Sequence, residues 1–355
     1  MIIRTRVEDW SKTVLGIDST FQETLELITK VGYQVALVCT PEGELAGVVT
    51  DGDIRRALLK GLSLDENVSA VMNSSPLIVN DGLGEKEANE IMNMNHLFHL
   101  PIVSGSGKLS GLHVAEHLFI KRTFDEALVI MAGGKGKRLM PLTAKTPKPM
   151  LLLDGKPILE HVIDKAKISG FNKIFISVNY LADRITEYFK DGSKFGVEIK
   201  YIREDSPLGT AGALQFLPPE IKKQSVVVTN SDVLTDICYG DLLTFSKDSN
   251  SDGLMAVRSQ EWTNPFGVVK TEGSKLVRIE EKPTHRYQVN AGVYVVSKKM
   301  LQLIGGGDYC DMTELFERGI NSGLNVNVYA LHESWIDIGN PSDYQKAISS
   351  IDISS

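Results

Sequence analysis

Residues 127–139 read Ala127-Leu128-Val129-Ile130-Met131-Ala132-Gly133-Gly134-Lys135-Gly136-Lys137-Arg138-Leu139. The unbroken apolar series at the start is the pattern of a strand buried on both faces, as in a sheet covered by helices on each side. That strand runs directly into three glycines and three cations. Glycines let main-chain N–H groups approach an anion without side-chain obstruction. Arg138 supplies a planar guanidinium for a phosphate chain. Further on, Thr146-Pro147-Lys148-Pro149-Met150 holds a second cation between two prolines. Residues 133–148 carry Lys135, Lys137, Arg138, Lys145 and Lys148 and no acid, in a chain whose formal net charge is −7. A basic, glycine-rich run in an acidic protein predicts a small anionic ligand. The run lacks the closing Gly-Lys-Ser/Thr of a Walker A loop, and its spacing is not the dinucleotide fingerprint.

Working outward, apolar strand patterns recur at 173–178, 196–202, 225–229, 253–258, 267–270, 276–280, 290–296 and 325–330. Helical patterns lie between the early ones, at 157–168, 181–190 and 209–216. Such alternation predicts an α/β fold with a mixed, mainly parallel sheet over residues 126–355. Ligands on these sheets bind beyond the carboxyl ends of the strands, near the point where strand order reverses.

The first 122 residues are organised differently. Gly43, Leu45 and Gly47 recur 64 residues later as Gly107, Leu109 and Gly111. Each set lies in a hairpin-like pattern preceded by a helical one, at 20–30 and 84–94. A helix–hairpin unit cannot close a core alone, so the two copies should pack together in an α+β domain. The segment is the more acidic part, with 11 Lys/Arg against 16 Asp/Glu.

Hydrophobic content of 42% and charged content of 23% suit a globular protein. No apolar run approaches the roughly 18 residues of a membrane span. The N-terminus meets polar residues too early for a signal peptide, so a cytoplasmic protein is expected. Net acidity argues against nucleic acid as a partner. Cys39, Cys238 and Cys310 lack metal or CxxC spacing and read as free thiols. No Ser-His-Asp or Cys-His set is visible.

Residues 133–143 with Pro147-Lys148-Pro149 closely resemble the signature of the sugar nucleotidyltransferases. The resemblance continues in order through Leu208-Gly209-Thr210-Ala211-Gly212-Ala213-Leu214, Asn230-Ser231-Asp232, Glu280-Glu281-Lys282-Pro283, Asn290-Ala291-Gly292-Val293-Tyr294 and Trp335-Ile336-Asp337-Ile338-Gly339. It implies a Rossmann-like nucleotidyltransferase domain that joins a nucleoside triphosphate to a sugar 1-phosphate and releases pyrophosphate. Because both reactants are anions, catalysis must supply position and positive charge. On this resemblance Arg138, Lys148 and Lys282 are the catalytic cations. Gly133, Gly134, Gly136, Gly209, Ala211 and Gly212 bind the nucleotide. Gly267, Glu281 and Asn290 bind the sugar, and Asp232 and Asp337 hold one Mg²⁺. Asn340-Pro341 departs from the family, which often has Thr after the last glycine, so a contact to substrate there differs.

Residues 14–120 resemble a tandem pair of CBS modules, on Gly47-Val48-Val49-Thr50-Asp51-Gly52-Asp53-Ile54-Arg55 and Val71-Met72-Asn73-Ser74-Ser75-Pro76. The resemblance implies a regulatory adenine nucleotide whose ribose is held by Thr50 and Asp53. The matching positions of the second copy are Val114 and His117, which cannot do this. Thr50 can equally cap the helix that follows it. The combination of a CBS pair with such a catalytic domain is similar to the guanylyltransferases of legionaminic acid biosynthesis and to mannose-1-phosphate guanylyltransferases. That similarity implies glucosamine 1-phosphate or a related hexose phosphate as acceptor, and the Leu-Gly-Thr-Ala-Gly form leans towards GTP, with CTP, UTP and dTTP left open, because main-chain groups around such glycines read the base edge. A homodimer is expected. Two other classes stay open: a catalytically inactive nucleotide sensor, and a P-loop phosphotransferase, which the missing Walker A ending opposes.

Overall fold

The structure, a computed structural model, describes residues 5–115 and 122–352. The chain divides into two compact units, Met1–Lys121 and Arg122–Ser355.

The first unit contains the repeat as two three-stranded sheets. One copy comprises β1 (Val14–Gly16), α1 (Phe21–Val31), β2 (Val35–Cys39), β3 (Leu45–Thr50) and α2 (Asp51–Leu59). The other comprises β4 (Val79–Asn80), α3 (Glu85–Met94), β5 (His99–Val103) and β6 (Leu109–Val114). In each the first strand pairs parallel to the second and the second antiparallel to the third. Both hairpin turns use a glycine at positive φ, Gly43 at 84° and Gly107 at 80°. Val35, Leu37, Leu112 and Val114 share one core between the copies. His117 lies outside the described residues.

The second unit begins with β7 (Leu128–Met131), the short pair β8 (Leu152–Leu153) and β9 (Lys156–Pro157), and α4 (Ile158–Ile168). Then come β10 (Lys173–Val178), α5 (Ala182–Phe189), β11 (Glu198–Arg203), α6 (Gly209–Gly212), β12 (Val226–Asn230), β13 (Val233–Thr235) and α7 (Tyr239–Asp248). The last part holds β14 (Gly253–Thr263), β15 (Val268–Glu272), β16 (Lys275–Glu280), β17 (Thr284–Val296), α8 (Lys298–Leu301), α9 (Met312–Asn321), β18 (Val326–Leu331), β19 (Trp335–Asp337) and α10 (Pro341–Asp352).

Seven strands form the main sheet in the order β11-β10-β7-β12-β17-β14-β18. All neighbours are parallel except β17, which runs antiparallel to both β12 and β14. Alternation along β7 sends Leu128 and Ile130 into one core and Val129 into the other, which is why the strand reads as unbroken apolar sequence. From β7 the chain winds outward through β10 and β11, then returns to place β12 on the opposite side of β7. Strand order therefore reverses between β7 and β12, and a cleft opens at their carboxyl ends.

β14 and β17 extend well past the sheet edge as a two-stranded ribbon, from Ser259↔Gln288 to Thr263↔Thr284. The ribbon carries the β15–β16 hairpin at its end. Strands 253–258 and 290–296 were expected to stop where burial stops. The extensions are exposed on both faces, so they carry no burial pattern to read.

Candidate active site

The cleft at the β7/β12 switch point has a volume of about 480 Å³. The loop after β7, the loops after β11 and β12, and the end of β19 line it.

The glycine-rich loop reaches the cleft with Gly133, Gly134, Gly136 and Arg138. Leu139 is buried against Leu151, Leu153 and Ile338, which fixes the chain on either side of Arg138. Gly136 has φ 58°, and a Cβ there would lie 3.0 Å from Thr143 Cγ2 and 3.1 Å from Lys148 Cβ. The Thr143 hydroxyl donates to Gly136 O at 2.9 Å. The loop thus folds back so that Lys148 packs against Gly136, which carries the lysine into the cleft. Arg138, Lys135 and Lys137 have no ion-pair partner among the described residues. A ligand would find these cations unneutralised.

Asp232 and Asp337 are adjacent despite their sequence separation. Asp232 directly precedes β13, which pairs antiparallel with β19 so that Val233 faces Asp337. Ile338 N–H donates to Asp232 O at 3.0 Å and closes the ladder beside the carboxylates. Lys148, 8% exposed, forms an ion pair with Asp232. Burial first, then the Asp232 charge, push the Asp337 carboxyl above its ordinary range against the opposing pull of Lys148 and Arg138. Two buried oxygens of cleft residues, Asn230 Oδ1 and Asp337 Oδ1, have no hydrogen-bond partner among the described residues. Buried acceptors of this kind need a donor or a cation. Two carboxylates with an orphaned oxygen fit a hard divalent ion that takes its remaining ligands from phosphate and water. No cluster of three or more His, Cys, Asp or Glu capable of holding a metal occurs among the described residues, so protein ligands alone would not complete such a shell.

The other wall is the turn Leu208–Gly212. Gly209, at φ 82°, lines the cleft, and its backbone passes so close to Cys310 that an added Cβ would sit 2.5 Å from Cys310 O. Ala211 and Gly212 do not line the cleft. Their amides donate to Cys310 O at 2.9 and 3.0 Å, so the turn is braced against the segment before α9. The residues expected on the sugar side are also absent from this cleft. Gly267, Glu281 and Lys282 lie at the base of the β15–β16 hairpin, where a Cβ on Gly267 would meet Glu281 Oε2 at 2.8 Å. Lys282 has φ 45° and precedes a proline, a backbone conformation disfavoured on both counts. Asn290 spends its side chain within β17: its amide donates to Tyr294 OH at 2.8 Å and its carbonyl accepts from Gly292 N–H at 2.9 Å.

Three cleft residues were not anticipated. Glu204 is 9% exposed, accepts from the Ser177 hydroxyl, and accepts from Leu208 N–H at 3.0 Å. Asp311 accepts from Thr210 N–H at 3.0 Å and from Tyr309 OH at 2.7 Å. Burial raises its carboxyl, but the Thr210 and Tyr309 hydrogen bonds outweigh that and hold it below the ordinary range. Tyr309 is the third. Glu204 carried a readable signal, an acid directly past a strand end, although Asp205 beside it carries the same signal. Tyr309 and Asp311 stand in a loop whose proximity to the turn no local pattern reports.

In the first unit Thr50 and Asp53 form a reciprocal capping box at the start of α2. The Thr50 hydroxyl donates to Asp53 Oδ2 at 2.7 Å and accepts from Asp53 N–H at 3.3 Å. The other Asp53 oxygen pairs with Arg56. Cys39 and Cys310 are buried free thiols, and Cys238 is a half-buried one. No helix among the described residues is long and apolar enough to cross a membrane.

Residues 127–353 match the family model for nucleotidyl transferases, and residues 10–60 match that for the CBS domain. The chain is similar to the UTP–glucose-1-phosphate uridylyltransferase of Synechocystis, with 32% identity over 244 residues, 62% of each chain. It is also similar to the mannose-1-phosphate guanylyltransferase of Mycobacterium tuberculosis, with 30% identity over 223 residues, 61% of this chain and 62% of that one. The solved structure of HddC from Yersinia pseudotuberculosis aligns with a TM-score of 0.50 at 27% identity, over 64% of this chain and 99% of the other. The chain thus spans under two thirds of the length of those two curated relatives. With a family match over most of its length and a switch-point cleft of matching chemistry, the chain belongs to the nucleotidyl transferase family.

Proposed function

We propose that the protein transfers a nucleotidyl group from a nucleoside triphosphate to a sugar 1-phosphate, releasing pyrophosphate. The observation that carries this reading is the convergence of Arg138, Lys148, Asp232, Asp337 and the open glycine loop on one cleft. Arg138 and the loop amides bind the triphosphate chain. Lys148 neutralises charge where the sugar phosphate oxygen attacks the α-phosphorus and pyrophosphate departs. Asp232 and Asp337 would hold Mg²⁺, which when bound screens the phosphate charges so that two anions can meet. Lys282 and Glu281 serve the sugar phosphate, with Gly267 offering main-chain contacts. Asn290 supports that end through Tyr294. Attack is direct, with the sugar phosphate oxygen itself as the nucleophile.

Glu204 favours GTP. Its two carboxylate oxygens already accept from Ser177 and from Leu208 N–H, and the lone pair left on each matches the adjacent N1–H and N2–H donors of guanine. Uracil and thymine offer a single N–H flanked by carbonyl oxygens, which a carboxylate repels. A site built to accept two hydrogen bonds rejects a base that cannot give them. The names of the curated relatives include both uridylyl and guanylyl transferases, so this choice rests on Glu204 alone. Glucosamine 1-phosphate or a related hexose phosphate is the proposed acceptor. In the first unit, an adenine nucleotide at Thr50 and Asp53 would have to replace the capping box. The first unit is proposed as regulatory, and the working assembly as a homodimer in the cytoplasm.

Pyrophosphate release measured with GTP, UTP, CTP and dTTP against a panel of sugar 1-phosphates tests the reading. Turnover with GTP and a hexosamine or hexose 1-phosphate is expected. Nucleotide binding to the full chain without turnover for any pair would favour the inactive sensor.

A further inference from the structure

The turn Leu208–Gly212 spends its amides internally. Leu208 N–H donates to Glu204 and Thr210 N–H to Asp311, while Ala211 and Gly212 both donate to Cys310 O. Within this turn, only the Gly209 amide has no acceptor among the described residues. The turn therefore has at most one main-chain donor for a ligand, too few to recognise a base edge in the way the glycine-rich sequence suggests. The surface this wall offers the cleft is largely side chain. Tyr309 lines the cleft with 57% of its surface exposed. Its hydroxyl donates to Asp311 Oδ2 at 2.7 Å, while Asp311 Oδ1 holds Thr210 N–H at 3.0 Å. Ring and turn are joined through one carboxylate, so the ring is oriented before any ligand arrives. Preorganisation of this kind lowers the entropy lost on binding.

We propose that Tyr309 is the platform on which the nucleobase of the triphosphate stacks, with Asp311 as its positioning residue. This rests on reading the cleft as a nucleoside triphosphate site and adds the residue that receives the base. Stacking accepts any base face, and a purine offers it more area than a pyrimidine. Tyr309 thus supplies affinity, while Glu204 supplies discrimination at the base edge. The Asp311 hydrogen bond, with the Asp311 charge, raises the phenol above its ordinary range.

The experiment uses the full chain and three probes: GTP, UTP and inorganic triphosphate, measured by calorimetry and by steady-state kinetics. Tyr309→Ala should weaken GTP binding and raise its KM by roughly tenfold or more. The KM for the sugar phosphate and the binding of inorganic triphosphate should stay as in the wild type. Tyr309→Phe, which keeps the ring and loses the tether, should retain most of the affinity. The proposal is overturned if Tyr309→Ala binds GTP like the wild type. It is equally overturned if GTP and inorganic triphosphate weaken together, since that marks a structural role. Failure of the wild type to bind GTP, UTP and inorganic triphosphate alike would instead remove the reading of the cleft and the proposal with it.

Discussion

Asp232→Asn removes one charge and keeps the size of the side chain. The Asp232 side chain is 22% exposed and pairs with Lys148, whose side chain is 10% exposed. Breaking a buried pair typically costs about 3–5 kcal/mol, because the surviving charge is stranded. Two features reduce that cost here. Asp232 keeps some contact with solvent, and the Asp337 carboxylate already acts on Lys148 from across the β13–β19 ladder. The substitution also removes the repulsion between the two carboxylates. A stability loss of about 1 kcal/mol, or about 2–4 °C in Tm for a unit of this size, is therefore expected. Catalysis should suffer far more. Loss of one preorganised electrostatic group costs about 10²–10³ in kcat, and Asp232 both positions Lys148 and contributes half of the proposed metal site. Turnover should fall by at least about 10³-fold with the melting curve nearly intact. Pyrophosphate release at saturating Mg²⁺, paired with a thermal melt, reads both quantities. A rate within about threefold of the wild type, with unchanged Mg²⁺ dependence, would show that Asp232 is not part of the reacting site.

Glu204→Gln replaces two acceptors by one acceptor and one donor, so the preference for GTP over UTP should fall by about tenfold or more in kcat/KM; an unchanged ratio would detach Glu204 from the base. Gly209→Ala puts a Cβ 2.5 Å from Cys310 O at a φ of 82°, which should cost about 1–3 kcal/mol and raise the KM for the triphosphate; a Tm equal to the wild type would contradict the close approach. Thr50→Ala removes the cap of α2 and should destabilise the first unit by about 1 kcal/mol in urea unfolding; a larger loss of adenylate affinity than of stability would show that the ribose role dominates. His113 is buried against Thr5, and burial first, then the Arg6 charge, lower its pKa from 6.5. The unfolded chain then binds the proton more tightly, so stability is full above about pH 6.5 and falls as the solution is acidified below it. Melts at pH 7.5 and 5.5 should show the loss in the wild type and a smaller one in His113→Asn.

Legibility followed burial. β7 could be read because Leu128–Met131 are packed between two cores, and a strand covered on both faces has no polar positions to confuse the period. The 64-residue repeat was visible because both hairpins need glycine at positive φ at the same place. The ribbon beyond Arg258 was not visible, because its residues face water on both sides. Asp232 and Asp337 could be paired from motif resemblance, but the reason they meet, a three-residue ladder, is too short to announce itself. The amides of Ala211 and Gly212 illustrate the opposite failure: glycine-rich sequence suggested free donors, and Cys310, from a distant segment, had taken them. Asn290 differs similarly, since its partner Tyr294 is four residues along the same strand.

Anomalous diffraction from crystals of the full chain grown with Mn²⁺ and a non-hydrolysable GTP analogue bears most directly on the account. A manganese peak held by both Asp232 and Asp337, with the triphosphate lying along Gly133–Arg138, is the expected result. Metal bound elsewhere, or a triphosphate outside the cleft between β7 and β12, would contradict it.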